Sequence, residues 1–169
     1  LTSGGQNIAI GFEALNDQTD GVANIAIGYA AMDAADSGES NNIAIGYGAL
    51  GSLNSTSGDQ NIGLGVGAGG GMNTIAGVYN IFIGYSAGGV GWETAASNYN
   101  VAVGDYAMNG AMNASSENTC LGYGAGNALT QGDTNVLVGF STANGVTTGY
   151  QNTCVGAAIE PAKPPPGLT

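Results

Sequence analysis

The stretch Asn42-Ile43-Ala44-Ile45-Gly46-Tyr47-Gly48-Ala49-Leu50 decides how this chain folds, because the 169 residues repeat it in nine copies. The others open at Asn7, Asn24, Asn61, Asn80, Asn100, Asn118, Asn135 and Asn152, each reading Asn, an apolar residue or Thr, any residue, an aliphatic residue, Gly. Successive asparagines stand 17, 18, 19, 19, 20, 18, 17 and 17 residues apart, so the motif is constant and the length variation falls between copies. A fixed unit of this size, repeated along nearly the whole chain, is the signature of a solenoid whose coils contact only their neighbours.

Each copy reads as a short strand. The first and third residues after the Asn, such as Ile8 and Ile10, Ile43 and Ile45, and Val136 and Val138, are aliphatic in nearly every copy, with a period of two, and share one face. The residue between them is Ala9, Ala26, Ala44, Gly63, Phe82, Ala102, Cys120, Leu137 or Cys154, so the second face is dry as well. Strands apolar on both sides are expected where both faces are covered. A coil of 17 to 20 residues has an interior thin enough to fill only one side, so the small-residue face is expected to pack on copies of the same chain around an axis. The Gly that closes every copy, from Gly11 to Gly156, marks a sharp corner or a close backbone approach. After it stands a column that is aromatic at Phe12, Tyr29, Tyr47, Tyr85, Tyr123 and Phe140. The opening asparagines are expected to stack into a column of hydrogen-bonded amides, and the remainder of each unit is turn chemistry.

The composition bounds the function. One Lys or Arg, twelve Asp plus Glu and no His give a net charge of −11. Nothing in such a chain can neutralise phosphates, so nucleic acid is excluded as a partner. No apolar run approaches the roughly 18 residues of a membrane span, so this segment is not expected to insert into a membrane. The chain starts at Leu1, close against the first repeat, and is read as a mature or excised piece of something longer. Residues 1–160 read as the β-solenoid domain and 161–169, with Pro161 and Pro164-Pro165-Pro166, as a stiff exit segment or linker. Cys120 and Cys154 occupy the same position two coils apart, about 10 Å, too far for an intrachain disulfide. They read as buried small hydrophobes or as partners in a cross-chain bond.

The repeated Asn-Ile-Ala-Ile-Gly-Tyr-Gly-Ala-Leu pattern resembles the head repeats of YadA-like trimeric adhesins and, more closely, the repeats of trimeric bacteriophage tail fibres. The resemblance covers about residues 4–160. It implies a left-handed parallel β-roll with three chains side by side, displayed outside a cell or virion. It makes Ala9, Ala26, Ala44, Gly63, Phe82, Ala102, Cys120, Leu137 and Cys154 the candidate residues of a trimer interface.

Chemistry-bearing constellations are sparse. With no His, and the one Lys in the proline tail, Ser or Cys nucleophilic catalysis lacks its usual base. A glycosidase needs only two carboxylates, which keeps a tailspike-like polysaccharide-degrading enzyme as the alternative class, although the acidic residues sit mostly in turns. The loop Asp33-Ala34-Ala35-Asp36-Ser37-Gly38-Glu39 offers oxygen ligands for Ca²⁺ without the spacing of a known calcium loop. Gly69-Gly70-Gly71 is followed by no Gly-Lys-Ser/Thr and is no phosphate loop. No catalytic, cofactor or metal residues are assigned. An ice-binding array would need a Thr column that the repeat does not show. Asn54 and Asn113 open glycosylation sequons, meaningful only in a glycosylating secretory pathway. The long segment from Ser86 to Tyr99 carries the only tryptophan. There Trp92, Glu93, Asn98 and Tyr99 are the candidate glycan-binding residues, flat rings packing on sugar faces beside amides that bond hydroxyls. Trp92 could equally fold down over the neighbouring coil, and the aromatic column could be structural or a glycan track. The reading is an all-β, parallel β-solenoid of nine coils, homotrimeric, acting as a structural and adhesive segment of an extracellular or virion fibre that attaches to a cell-surface glycan or receptor. A bacterial autotransporter-type adhesin head is the nearest alternative.

Overall fold

The computed structural model describes residues 4–36, 38–55, 57–72, 77–89, 91 and 95–158. They form nine three-residue strands: β1 (Ile8–Ile10), β2 (Ile25–Ile27), β3 (Ile43–Ile45), β4 (Ile62–Leu64), β5 (Ile81–Ile83), β6 (Val101–Val103), β7 (Thr119–Leu121), β8 (Val136–Val138) and β9 (Thr153–Val155). Each pairs in parallel with its sequence neighbours, giving one sheet in the order β1 to β9. The repeats lie in register, Ile25 over Ile8 and Ala26 over Ala9, through to Thr153 over Val136. The expected all-β parallel solenoid is therefore the observed fold, and the described residues contain no helix. Residues 161–169 lie outside the described residues.

Each strand ends after three residues because the corner glycine follows it. These glycines take φ between 126° and 140°, from Gly122 to Gly156, a region L side chains rarely enter. Space makes the same demand: a Cβ on Gly65 would stand 2.6 Å from the carbonyl oxygen of Gly84 in the next coil. At the other end of each strand the asparagine column forms as the repeat suggested. Each Asn Oδ1 accepts the backbone N–H of the next coil's Asn at 2.8 to 3.0 Å, from Asn7 to Asn135. Its Nδ2 donates to a carbonyl of that same next coil, at 2.7 to 3.0 Å. One amide thus staples two coils twice, which is why the column tolerates full burial.

The sequence did not announce how often the backbone bends left-handed. The residue before each asparagine, from Gln6 to Gln151, has positive φ, and so does the second residue after each corner glycine, from Glu13 to Ala158. The fourth does too, at Leu15, Met32, Leu50, Gly69, Gly88, Met108, Gly126 and Ala143. Most of these are not glycine, and each such residue costs about 1–2 kcal/mol. Inter-coil hydrogen bonds hold them there: Ala30 N donates to Phe12 O at 2.9 Å, Met32 N to Ala49 O at 3.0 Å and Leu50 N to Ala68 O at 2.9 Å. The large members also bury their side chains completely, as Met32, Leu50 and Met108 do.

That last observation corrects the assignment of faces. The middle residues of the strands, Ala26, Ala44, Gly63, Phe82, Ala102, Cys120, Leu137 and Cys154, point into the coil's own interior and are buried within a single chain. Ala9, in the strand that pairs only with β2, occupies the same register position and is exposed. These nine residues are therefore not the face a partner chain would meet. The small side chains are small because the opposite wall supplies the bulk. By repeat position Ala26 is answered by Met32, Ala44 by Leu50 and Ala102 by Met108, all buried, whereas Phe82 is answered by Gly88 and Cys120 by Gly126. A Cβ on Gly88 would lie 2.5 Å from the Phe82 ring, and one on Gly126 2.7 Å from the Cys120 sulfur. Coil four has glycine on both walls, and its space is taken from below and above: a Cβ on Gly69 would meet Leu50 at 2.5 Å and Phe82 at 3.0 Å. Interiors pack to crystal-like density, so in a channel this thin the two walls must be complementary in volume.

Candidate functional site

The face that points outward is the other one. Ile8, Ile10, Ile45, Leu121, Val136 and Val155 are exposed, and Ile25, Ile27, Ile43, Ile62, Leu64, Ile81, Ile83, Val101, Val103 and Val138 are half-buried. Nine strands at about 4.8 Å make a face on the order of 40 Å long. With roughly 10 Å of strand width this is on the order of 400 Å² of aliphatic surface, already the size of the largest patch a monomeric protein usually exposes.

An aromatic column borders this face past the corner glycine. Phe12, Tyr29 and Tyr47 stack with ring centroids 5.5 and 5.0 Å apart. Val66 interrupts, and the column resumes as Tyr85, Tyr106, Tyr123 and Phe140 at 5.3, 5.8 and 5.3 Å. Sequence reasoning missed Tyr106. In that copy Asp105 holds the aromatic position, but its carboxylate turns back to accept the Tyr85 N–H at 2.8 Å, and the next residue supplies the ring edge-on. A polar residue in an otherwise aromatic column was the available signal. The Glu13 carboxylate holds Tyr29 above its ordinary 10.0, and loss of water, then the Tyr85 and Tyr123 phenols, raises Tyr106.

Of the four candidate glycan-binding residues, Trp92 and Glu93 lie outside the described residues. Tyr99 is exposed and stacks on Tyr79, centroids 5.0 Å apart at 6°. Asn98 holds backbone in place, its Oδ1 accepting Val78 N–H at 3.0 Å while its own N–H donates to Ser116 Oγ at 3.1 Å. Ser116 N in turn donates to Asp133 Oδ1 at 2.8 Å, and Ser40 N to Asp59 Oδ1 at 2.8 Å. Where the residue two before the asparagine is polar, at Ser40, Asp59, Asn98, Ser116 and Asp133, its side chain accepts a backbone N–H of the coil before, so Asn98 and Tyr99 serve two different stacked columns.

The carboxylates follow the same logic. Asp20 accepts Gly38 N–H at 2.7 Å, and Glu39 accepts Ser55 N–H at 2.7 Å. Asp20, Glu39, Asp59, Asp105 and Asp133 each bind backbone across a coil boundary rather than converging in a pair. Glu39, a proposed calcium ligand, is fully buried, and burial raises its carboxyl above the ordinary 4.5. Its Oε2 and both polar atoms of Gln18 lack, among the described residues, a hydrogen bond of normal geometry, although the Gln18 side chain stands close enough to ease the carboxylate. Among the described residues no group of three or more His, Cys, Asp or Glu side chains is placed to hold a metal ion. Neither Cys120 nor Cys154 is in a disulfide among the described residues, and both are buried. Burial pushes the Cys120 thiol up to about 12, and its place inside the coil removes the cross-chain bond considered from the sequence.

Past the corner, across the turns after β6, β7 and β8, lies a groove of about 440 Å³ lined by Tyr106, Asn109, Tyr123, Gly124, Asn127, Ser141 and Asn144. Repetition builds it: Asn109, Asn127 and Asn144 are each the fifth residue after a corner glycine, on three successive coils. No family model, curated protein or solved structure matches this chain.

Proposed function

We propose that this chain is a structural and adhesive segment of a homotrimeric fibre, borne by a virion or displayed outside a cell, that mediates attachment to a cell surface. The observation that carries the reading is the outward Ile/Leu/Val face. An uncharged aliphatic strip running the length of a chain with net charge −11 has a ready partner in the same strip on another copy, which brings no unpaired charge to the contact. The number three comes from the resemblance of the repeat to trimeric fibres. Association would cover the strip and leave the turns outside, where a fibre makes its contacts. The polysaccharide-degrading alternative loses support, because five of the carboxylates it would draw on bind backbone between coils.

Light scattering during size-exclusion chromatography tests this over a range of protein concentrations. The expected mass is three times 16.5 kDa, falling to one chain when Ile45→Glu and Ile83→Glu place charge on the outward face with the circular dichroism unchanged. A monomeric parent protein, or a trimer indifferent to both substitutions, would overturn the reading.

A further inference from the structure

We infer that the groove across the sixth to eighth coils is a binding site for a neutral oligosaccharide lying along the solenoid axis. Three features point there. The first is the lining: two phenol rings, Tyr106 and Tyr123, meet edge to face at 5.8 Å, beside the amides of Asn109, Asn127 and Asn144 and the hydroxyl of Ser141. Rings receive the C–H faces of a pyranose, while amides and hydroxyls supply both donors and acceptors for its hydroxyls. No charged residue lines the groove, and in a chain of net charge −11 the surrounding field disfavours an anionic sugar or a phosphate.

The second feature is an unmet need. Among the described residues Asn109 Oδ1 is buried without a hydrogen-bond partner, and such an acceptor is rare in a finished interior. Rotation of the Asn109 amide toward the groove, which the side chain lines, would let a sugar hydroxyl supply the missing donor. The third is spacing. Coils repeat at about 4.8 Å, close to the length of one pyranose unit in an extended chain, so three successive amides meet three successive sugars in equivalent ways. The equivalent positions of coils one to five are Asn16, Asp33, Gly51, Gly70 and Gly89, so amides follow one another on successive coils only across the groove. Gly124 keeps the floor open between Tyr106 and Ser141, since a Cβ there would stand 3.4 Å from Ser141 Oγ.

The site deepens the attachment reading and rests on it for the origin of the sugar, while the groove itself is built by a single chain and lies past the corner from the outward strand face. The test is an array of neutral hexopyranose oligosaccharides, with sialylated and phosphorylated glycans alongside, probed with the intact protein and with Tyr123→Ala, Asn127→Ala and, on the distant aromatic column, Tyr29→Ala. The proposal expects retention of neutral oligosaccharides of three or more units, weakened about tenfold or more by each groove substitution, the loss of one or two good hydrogen bonds or a ring contact. Tyr29→Ala should bind as the parent does. No neutral sugar retained, a preference for anionic glycans, or equal weakening by Tyr29→Ala would overturn it. Mass measured on the same samples separates the two readings. A trimer that binds no neutral sugar sinks the groove alone, and a monomer that binds one through Tyr123 and Asn127 sinks the trimer alone.

Discussion

The two faces of the same strands are both apolar, yet they obey different rules. The inward face reads Ala26, Ala44, Gly63, Phe82, Ala102, Cys120, Leu137, and the outward face is aliphatic with almost no variation, Ile or Val or Leu at nearly every place. Hydrophobicity does not tell them apart, but volume does. The interior is one closed space shared with an opposite wall, so its residues vary in compensating pairs. The outward columns face open space in a single chain, so nothing forces a large residue to be answered by a small one.

Adjacent residues give the strongest contrast. Ala44→Glu would bury a carboxylate where no partner exists, and the expected loss is about 5 kcal/mol or more, enough to unfold the central coils in a thermal melt followed by circular dichroism. Ile45→Glu, one residue on, should leave single-chain stability within about 0.5 kcal/mol and act only on mass in solution. Equal melting of the two variants would mean that the faces are assigned wrongly.

Next comes the volume rule. Phe82→Ala should cost about 3–5 kcal/mol, and Gly88→Met alone about 1–3 kcal/mol through overpacking, since a Cβ at Gly88 already meets the ring at 2.5 Å. The double variant recreates the Ala26 and Met32 arrangement, so it should be more stable than Phe82→Ala alone. A double-mutant cycle in denaturant measures that coupling, and simple additivity would sink the complementarity argument.

A smaller effect, with a pH signature, is expected at Glu39. Burial raises its carboxyl pKa in the folded chain above the ordinary 4.5. Below that value both folded and unfolded chains hold the proton and nothing is lost. As pH rises through it and on through the folded value, the folded state is increasingly penalised relative to the unfolded one. Glu39→Gln should therefore melt higher than the parent at pH 7 and equally at pH 4. A difference that persists at low pH would point to packing rather than charge. Smallest of all, Cys120 should resist alkylation at pH 8 in the native protein and react only in denaturant, because its thiol, raised to about 12, is neither ionised nor accessible. Fast native labelling would contradict the inward orientation of β7.

Much of the fold was legible because repetition makes one physical demand many times over. The corner at Gly46, the strand Ile43–Ile45 and the amide column through Asn42 each recur in every coil, and each depends only on neighbours one repeat away. The assignment of faces was not legible in that way. It depends on Met32, Leu50 and Met108 reaching across the interior from left-handed positions, and those positions carry no common residue type. The candidate site was legible only in part. Tyr99 stands in a stacked pair, but Asn98 turned out to hold backbone, and Tyr106 entered the aromatic column from one residue late.

Residue order alone was enough to establish a parallel solenoid, its nine strands, the point where each strand stops and the asparagines that stack, since all of these follow from the period and from local backbone chemistry. Which dry face is inside had to wait for the folded chain, because that depends on the volume of a wall several residues away around the coil. So did the meeting of amides and rings from three separate coils in one groove, because the lining residues stand about 18 apart in the chain and become neighbours only when the coils stack.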